Sequence, residues 1–396
     1  MRRVLIIVEN LPCPFDRRVW LEATTLRSAG YAVSIICPKG AGYNAAYEHL
    51  EGIDIYRHPL PFEATGALGY VLEYGAALFW ELLLATRVAF TKGFDVIHAC
   101  NPPDLIFLVS WPFKLFGKKF IFDHHDINPE LYEAKFARRD FLYRLICKFE
   151  RWTFRAADVS IATNESYKQI AIERGGMAPE RVFVVRSGPA IEKMKILSPV
   201  EKWRFGKRFL VAYVGVMGNQ EGIDLLLEAA HHIVFSKQRD DIHFTLVGSG
   251  TELDKLEAMK HRLGLDAAVT FTGRVSDQVL LEVLNTADVC VNPDVVNEMN
   301  DKSTMNKIME YMAVGKPIVQ FVSTEGRVSA GEASLYARAN DPIDLAARIL
   351  ELLDDPERRE LMGRLGRSRV ETKLSWQHQI PQLLEAYEVA FSEAAP

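Results

Sequence analysis

Cysteine is scarce in this chain, and what there is does not pair. The five cysteines, Cys13, Cys37, Cys100, Cys147 and Cys290, are scattered, and no two form a C-x-x-C. Neither a zinc site nor a disulfide framework is indicated. Cys37, Cys100 and Cys290 fall in or at the ends of strand-like runs, where cysteine acts as a small hydrophobe, and a reducing compartment fits. Long apolar runs are also missing. The nearest approach to a membrane span, 66–90, is interrupted by Glu73 and Glu81. The apolar run near the N-terminus is too short for a signal peptide and reads as a first strand. Positive charge is not in excess: the net charge is −5, which argues against a general nucleic-acid binder. No Asp-x-Asp, no G-x-S-x-G elbow, no Walker loop and no G-x-G after the first strand occur. These absences argue against a serine hydrolase and a P-loop NTPase, and they remove the usual dinucleotide fingerprint.

What is present is a folded, two-domain composition: 396 residues, 48% apolar and 25% charged. Short β runs at 4–8, 33–37, 53–56, 96–99, 120–123, 159–162 and 182–185 alternate with segments long enough for helices. A second series follows at 209–214, 244–247, 269–272, 289–291 and 318–321, with helical patterns at 224–236, 252–263 and 278–286. Such alternation predicts parallel sheets with helical crossovers, an α/β fold. The segment 187–208 reads as a linker. After it the second domain spans 207–375, against 1–190 for the first, and the chain ends in helices at 341–353, 356–372 and 376–391.

The stretch 288–336 organises the second half. Met305, Ile308, Met309 and Met312 fall at i, i+3, i+4 and i+7, one face of a helix. Ser303, Lys307 and Glu310 form a polar stripe on the same predicted helix, and Gly315 and Pro317 stop it. On spacing alone this stripe is an ordinary solvated face. The run EYMAVGKPIV, however, resembles the second half of the signature of family 4 retaining glycosyltransferases: a Glu, seven residues, a second Glu, then Met-Ala-x-Gly-x-Pro-Val. Glu310 matches the second Glu; Lys302 stands where the first would be. Asn300, Asp301, Ser303, Thr304, Met305, Asn306 and Lys307 match a variant similar to bacterial enzymes of surface-polysaccharide assembly.

Other motifs extend the resemblance. Pro14, Asp16, Arg18 and Val19 match the family's Pro-x-Asp-x-Arg-Val ahead of the first helix; capping and salt bridging explain these residues as well as a role lining an acceptor cleft. After the strand at 120–123 come His124, His125 and Asp126. Adjacent strand residues point to opposite faces, so the two histidines do not easily share one ion. The family has His-Asp and then Pro-Glu here, matched by His125-Asp126 and Pro129-Glu130, and in it this His reaches the transferred sugar. Gly215, Gly218 and Asn219 follow the first strand of the second domain, in a turn suited to a diphosphate. The cations relatives carry nearby are replaced by Val216 and Glu221. By resemblance, Gly273, Arg274 and Val275 lie against the nucleotide base. The segment 135–155 is basic and aromatic: Phe141, Leu142, Leu145, Ile146, Phe149 and Trp152 share one helical face. It reads either as a core-packed helix or, with Lys114, Lys118 and Lys119, as contact with an anionic membrane.

The resemblance implies a GT-B architecture, two Rossmann-like parallel-sheet domains with the C-terminal helix 376–396 packing on the first. It implies a nucleotide-sugar donor held mostly by the second domain, a lipid-linked or saccharide acceptor, no metal or other cofactor, no nucleic acid, and a cytoplasmic location at the inner face of the membrane. Expected catalytic residues are His125, Asp126 and Glu310. Expected donor-binding residues are Gly215, Gly218, Asn219, Gly273, Arg274, Val275, Lys302, Ser303, Lys307 and Glu310, with Glu310 on the ribose hydroxyls and the lysines on the diphosphate. Two other readings compete: a GT-B sugar-nucleotide 2-epimerase, and a non-catalytic nucleotide-sugar-binding subunit, which the replaced Glu and cations favour.

Overall fold

The computed structural model describes residues 1–59 and 66–392; the last four positions of the predicted C-terminal helix lie outside the described residues. The chain forms two compact units, Met1–Ser187 with Gln379–Pro396, and Gly188–His378. The segment 188–208, read from its composition as a linker, therefore counts with the second unit.

The first unit is built on eight strands: β1 Arg3–Ile7, β2 Ala32–Pro38, β3 Tyr47–Leu50, β4 Ile53–His58, β5 Val96–Cys100, β6 Lys119–His124, β7 Val159–Ala162 and β8 Val182–Val184. Their order is β3-β4-β2-β1-β5-β6-β7-β8. All pairs are parallel except β3 with β4. The inner strands are buried along nearly their whole length and mostly apolar because helices cover both faces of a parallel sheet. β3 has no such signal. Its sequence, YEHL, sits on the sheet edge with no residue fully buried.

The second unit holds β9 Phe209–Val214, β10 Ile242–Val247, β11 Val269–Gly273, β12 Val289–Asn292, β13 Ile318–Phe321 and β14 Ser334–Ala337. The order is β11-β10-β9-β12-β13-β14. β14 and the helix Thr324–Ala330 have too little apolar periodicity to be read from sequence. The core packs Phe209, Val211 and Tyr213 of β9 against Leu226, Leu227 and Ala230 of the next helix. In both units β1 or β9 has a neighbour on each side reached by opposite crossovers. That strand end is a topological switch point, where open α/β sheets bind ligands.

Candidate active site

In the first unit the functional side chains gather at the C-terminal ends of β1, β5 and β6. Strand alternation separates the two histidines, as the sequence implies. His124 is buried among Phe122, Phe154 and Tyr167, with ring centroids 5.1–5.5 Å away. His125 takes the other side, its Nε2 2.6 Å from Asp123 Oδ2. Asn101, at the end of β5, fixes the backbone here. Its Oδ1 accepts from the N–H groups of His125 (2.7 Å) and Asp126 (3.1 Å), and its Nδ2 donates to the Asp126 carbonyl (2.6 Å). Burial raises the Asp126 carboxyl above its ordinary range, against the pull of His125. Glu130 of the matched Pro-Glu is engaged structurally, taking Arg174 at 2.7 Å.

Asp123 is the centre of this cluster. Arg18 Nη2 donates to its Oδ1 at 2.9 Å and Nε to its Oδ2 at 3.3 Å, while His98 Nε2 lies 3.2 Å from Oδ2. Burial alone would push this carboxyl up; Arg18 and then His125 outweigh it and hold Asp123 well below the carboxylate range. It is therefore an anion surrounded by donors. Arg18 Nε also stands 3.0 Å from His125 Nε2. Asp123 is an anion that only accepts, so its 2.6 Å contact calls for the proton on His125 Nε2, and the Arg18 Nε–H is then directed at Asp123 Oδ2, 3.3 Å away. That leaves Nδ1 as the ring's acceptor atom. Asp16, the neighbouring matched residue, accepts from the Val19 N–H at 3.0 Å and caps the helix Arg17–Ser28; Pro14 lies two residues before it. Arg18 leaves the first turn of that helix to reach Asp123, with Glu22 one turn on at 3.1 Å.

Two groupings here, His98–Cys100–Asp123 and Glu22–Asp123–His125, are tight enough to share an ion. The guanidinium of Arg18 already brings positive charge to both carboxylates, and the histidine N–H groups are spent on Asp123. Asp123 is thus fully engaged by hydrogen bonds, while both carboxylate oxygens of Glu22 lack a hydrogen-bond partner.

The second unit holds the other predicted residues, in an arrangement that departs from the sequence reading at several points. Ser303 does not share a helix with Lys307 and Glu310. It caps a short helix, Glu298–Lys302, and a new helix runs Asn306–Ala313. Asn300 and Asp301 explain the break. Asn300 Nδ2 donates to the carbonyls of Gln220 and Val295, and Asp301 accepts from the N–H and hydroxyl of Thr324, which holds the short helix in its own direction. Lys302 ends that helix, and its Nζ meets Glu298 at 2.8 Å.

Lys307 pairs with Asp294, at 2.6 Å, and not with Glu310. Both members are largely buried, and the ammonium lies over the Tyr213 ring, 5.0 Å from its centroid. Burial raises Asp294 against the pull of Lys307, and it raises Glu221, with Asp294 adding to the effect. Glu310 stands half-buried on the same helix.

The glycine turn is closely packed. Gly215 N–H donates to Val247 O (3.0 Å), Met217 N–H to Ser249 O (3.2 Å) and Gly218 N–H to the Glu221 carboxylate (3.1 Å). Gly248 and Gly250 lie so close beneath that a Cβ on either would strike the carbonyl of Gly215 or Met217. A phosphate binding at Gly218 would therefore displace Glu221. Asn219 continues the same loop. Gly273 ends β11 with φ +68°, exposed Arg274 follows, and Val275 packs partly on the core.

Two family models match the chain. The model described as "Glycosyltransferase Family 4" covers residues 16–192, and "Glycosyl transferases group 1" covers 208–355. The chain belongs to the family 4 glycosyltransferases. The 2-deoxystreptamine glucosyltransferase of Streptomyces kanamyceticus is 24% identical over 355 residues, 85% of this chain and 88% of that one. A glycogen synthase of Mycobacterium tuberculosis is 24% identical over 383 residues, 91% and 87% of the two chains. Among solved structures, sucrose-phosphate synthase from Thermosynechococcus elongatus superposes with a TM-score of 0.82 at 19% identity, over 99% of this chain and 100% of that one. Anabaena HepE in complex with UDP-glucose gives 0.75 at 15% identity, over 98% and 100%. The fold is GT-B.

In this glycosyltransferase the motif residues lie at strand ends, among side chains that the motifs do not include. His98, Glu22, Asn101 and Tyr387 were missed, and Asp123 was noted only beside the two histidines as a possible metal ligand. Glu22 had a local signal, being four residues after Arg18 on one helix face. The others are brought together by the sheet and by the C-terminal helix.

Proposed function

We propose that this glycosyltransferase moves a hexosyl or N-acetylhexosaminyl group from a nucleotide-sugar donor to a lipid-linked or saccharide acceptor, with retention and without a metal, in bacterial surface-polysaccharide assembly. The observation that carries the reading is the Asp123–His125 pair at the end of β6, where the family's sugar-contacting histidine is expected. With its proton on Nε2 and held by Asp123, His125 offers Nδ1 to a hydroxyl of the transferred sugar or the acceptor. Glu310 accepts from the ribose hydroxyls. Lys307, beside the glycine turn, meets the diphosphate, with Lys302 nearer the surface. No side chain is placed as a covalent nucleophile, so the leaving phosphate takes the acceptor's proton in a same-face displacement.

A lipid-linked acceptor and a site at the inner face of the cell membrane are supported by the first unit's surface. The helix Phe141–Ala156 turns Glu150, Thr153 and Phe154 inward. Its aromatic face is thus not the core-packed one: Phe141 is 75% exposed and Trp152 44%. The helix Phe107–Lys114 packs beside it, Phe107 against Trp152, and adds Trp111 (57%), Leu115 and Phe116 (80%). The helix Gly66–Thr91 packs on that one and adds Phe79, Leu83 and Phe90 (87%). Arg87, Arg144, Lys148, Arg151 and Arg155 of the same helices are exposed, a combination that suits an anionic bilayer. Among the described residues no helix is long and apolar enough to cross a membrane.

The deciding experiment incubates the protein with labelled nucleotide sugars and a lipid extract. Transfer of label to lipid, with the product's anomeric configuration matching the donor's by NMR, is expected. Epimerised donor with no transfer would favour the 2-epimerase; donor binding with no turnover would favour a non-catalytic subunit.

A further inference from the structure

The fully buried network behind His125 has a second end. Tyr387, on the C-terminal helix Trp376–Phe391, places its hydroxyl 2.7 Å from His98 Nδ1. His98 Nε2 is 3.2 Å from Asp123 Oδ2, and that same oxygen is 2.6 Å from His125 Nε2. The direction of each bond follows from the ends. Asp123 is an anion and only accepts, so His98 carries its proton on Nε2 and its Nδ1 is an acceptor. Tyr387 must then donate. Burial favours this arrangement at both ends, because it keeps His98 neutral, its pKa lowered, and the Tyr387 phenol protonated, its pKa well above the ordinary value.

We propose that Tyr387 and His98 are positioning residues that act through Asp123 on His125, fixing the orientation of its ring and presenting Nδ1 to substrate. A donor on Nδ1 polarises the His98 ring and strengthens its Nε2–H bond to Asp123. Oδ2 then has part of its charge engaged before His125 approaches. When His98 or Tyr387 stops donating, Oδ2 becomes a stronger acceptor and favours a doubly protonated His125, which has no lone pair to offer. The other charged and titratable groups facing this chain are Arg18, Glu22, Cys100, Asp126 and Asp16, with the Tyr31 ring tilted against Tyr387 at 5.6 Å. None of them bonds to His98 Nδ1, so the Tyr387 contact sets its state. The inference rests on the role given above to His125, and it reaches residues more than 260 positions apart in sequence, His125 and Tyr387.

The test uses the full chain and three variants. Proton NMR in the imidazole N–H region reads the short His125–Asp123 bond directly as a downfield resonance, assigned by its loss in His125→Ala. In His98→Leu and Tyr387→Phe this resonance is expected to move. The low-pH limb of kcat/KM is expected to rise by about half a pH unit or more, so that the rate at pH 6 falls several-fold while the rate at pH 9 stays within twofold. His98→Gln keeps an N–H where Nε2 stood and should restore both readouts. A resonance unmoved in both variants, or a rate lowered equally at every pH, overturns the proposal. A moved resonance together with full activity in His125→Ala would instead overturn the catalytic role of His125 and leave the positioning intact.

Discussion

His124 and His125 are adjacent in sequence and point to opposite sides of the strand. His124 is fully buried among aromatic rings with Glu150 3.5 Å away, while His125 meets Asp123 and keeps 14% of its side chain exposed, so the second is the one open to a ligand. His125→Ala should lower kcat by ~10²-fold or more, because a positioned hydrogen-bonding group near the reacting centre is worth that much. The variant's urea midpoint should stay near that of the parent, and an unchanged turnover number would remove His125 from the site. Lys307 makes a sharper case. Its partner Asp294 is buried, so Lys307→Met strands a carboxylate and, on the proposed reading, also removes a phosphate contact. Calorimetric titration should show ~1.5–3 kcal/mol less binding of the nucleoside diphosphate, with the bare nucleoside unaffected. Stability should fall too, by up to ~3–5 kcal/mol. The double variant Lys307→Met/Asp294→Asn should regain stability without regaining diphosphate binding. Equal losses for both ligands would mean that Lys307 does not touch the diphosphate.

At the scale of elements, the helix Gly66–Thr91 carries an acid on its buried side. Glu81 is fully buried, neither carboxylate oxygen has a hydrogen-bond partner, and burial, with Glu9 adding, raises it to about 8. Glu9, at the end of β1, is raised to about 7 by burial and by Glu73. The sign follows from linkage. Between pH 4.5 and about 8 the folded state holds a proton on Glu81 that the unfolded chain has released, so stability is greatest at the acid end of this window. It is lost as pH rises through the folded value. The shift corresponds to roughly 4–5 kcal/mol across the full window. Glu81→Gln removes the titration. Urea unfolding at pH 5 and pH 8.5 should therefore show a smaller drop in the variant than in the parent; identical drops would mean that Glu81 is ionised in the fold. The short helix Glu298–Lys302 teaches a different lesson. Its residues match a family signature, yet Asn300 and Asp301 serve as ties to Gln220, Val295 and Thr324, so part of that signature encodes local architecture.

On the scale of the molecule, the apolar and basic surface of the first unit predicts peripheral attachment. Sedimentation with vesicles containing anionic lipid should show binding that weakens with salt, each basic side chain contributing about 1 kcal/mol near the surface. Trp111→Ser with Phe116→Ser should reduce partitioning more than tenfold, since each ring gives roughly 1.5–3 kcal/mol on burial. Equal binding to neutral vesicles at every salt concentration would count against an anionic bilayer as the partner.

Strand and helix positions were legible in the chain because a parallel sheet covered on both faces demands uninterrupted apolar runs, and these appear directly at β1, β5, β6 and β9. The glycine turn, the His-Asp pair and the Glu310 helix were legible for a related reason: each lies within a few residues of such a strand. Edge strands β3 and β14 were not, since one-sided or partial burial leaves no continuous run. Which side chains meet was decided by the tertiary structure alone. Lys307 could have paired with Glu310 three residues away, but the loop after β12 brings Asp294 to it instead. Asp123 is one acid among many in the sequence. It becomes the centre of a site because β1, β5 and β6 lie side by side and set Arg18, His98 and His125 around it, and because the last helix returns Tyr387 to the first unit. Contacts of that range depend on strand order, which local residue spacing does not carry.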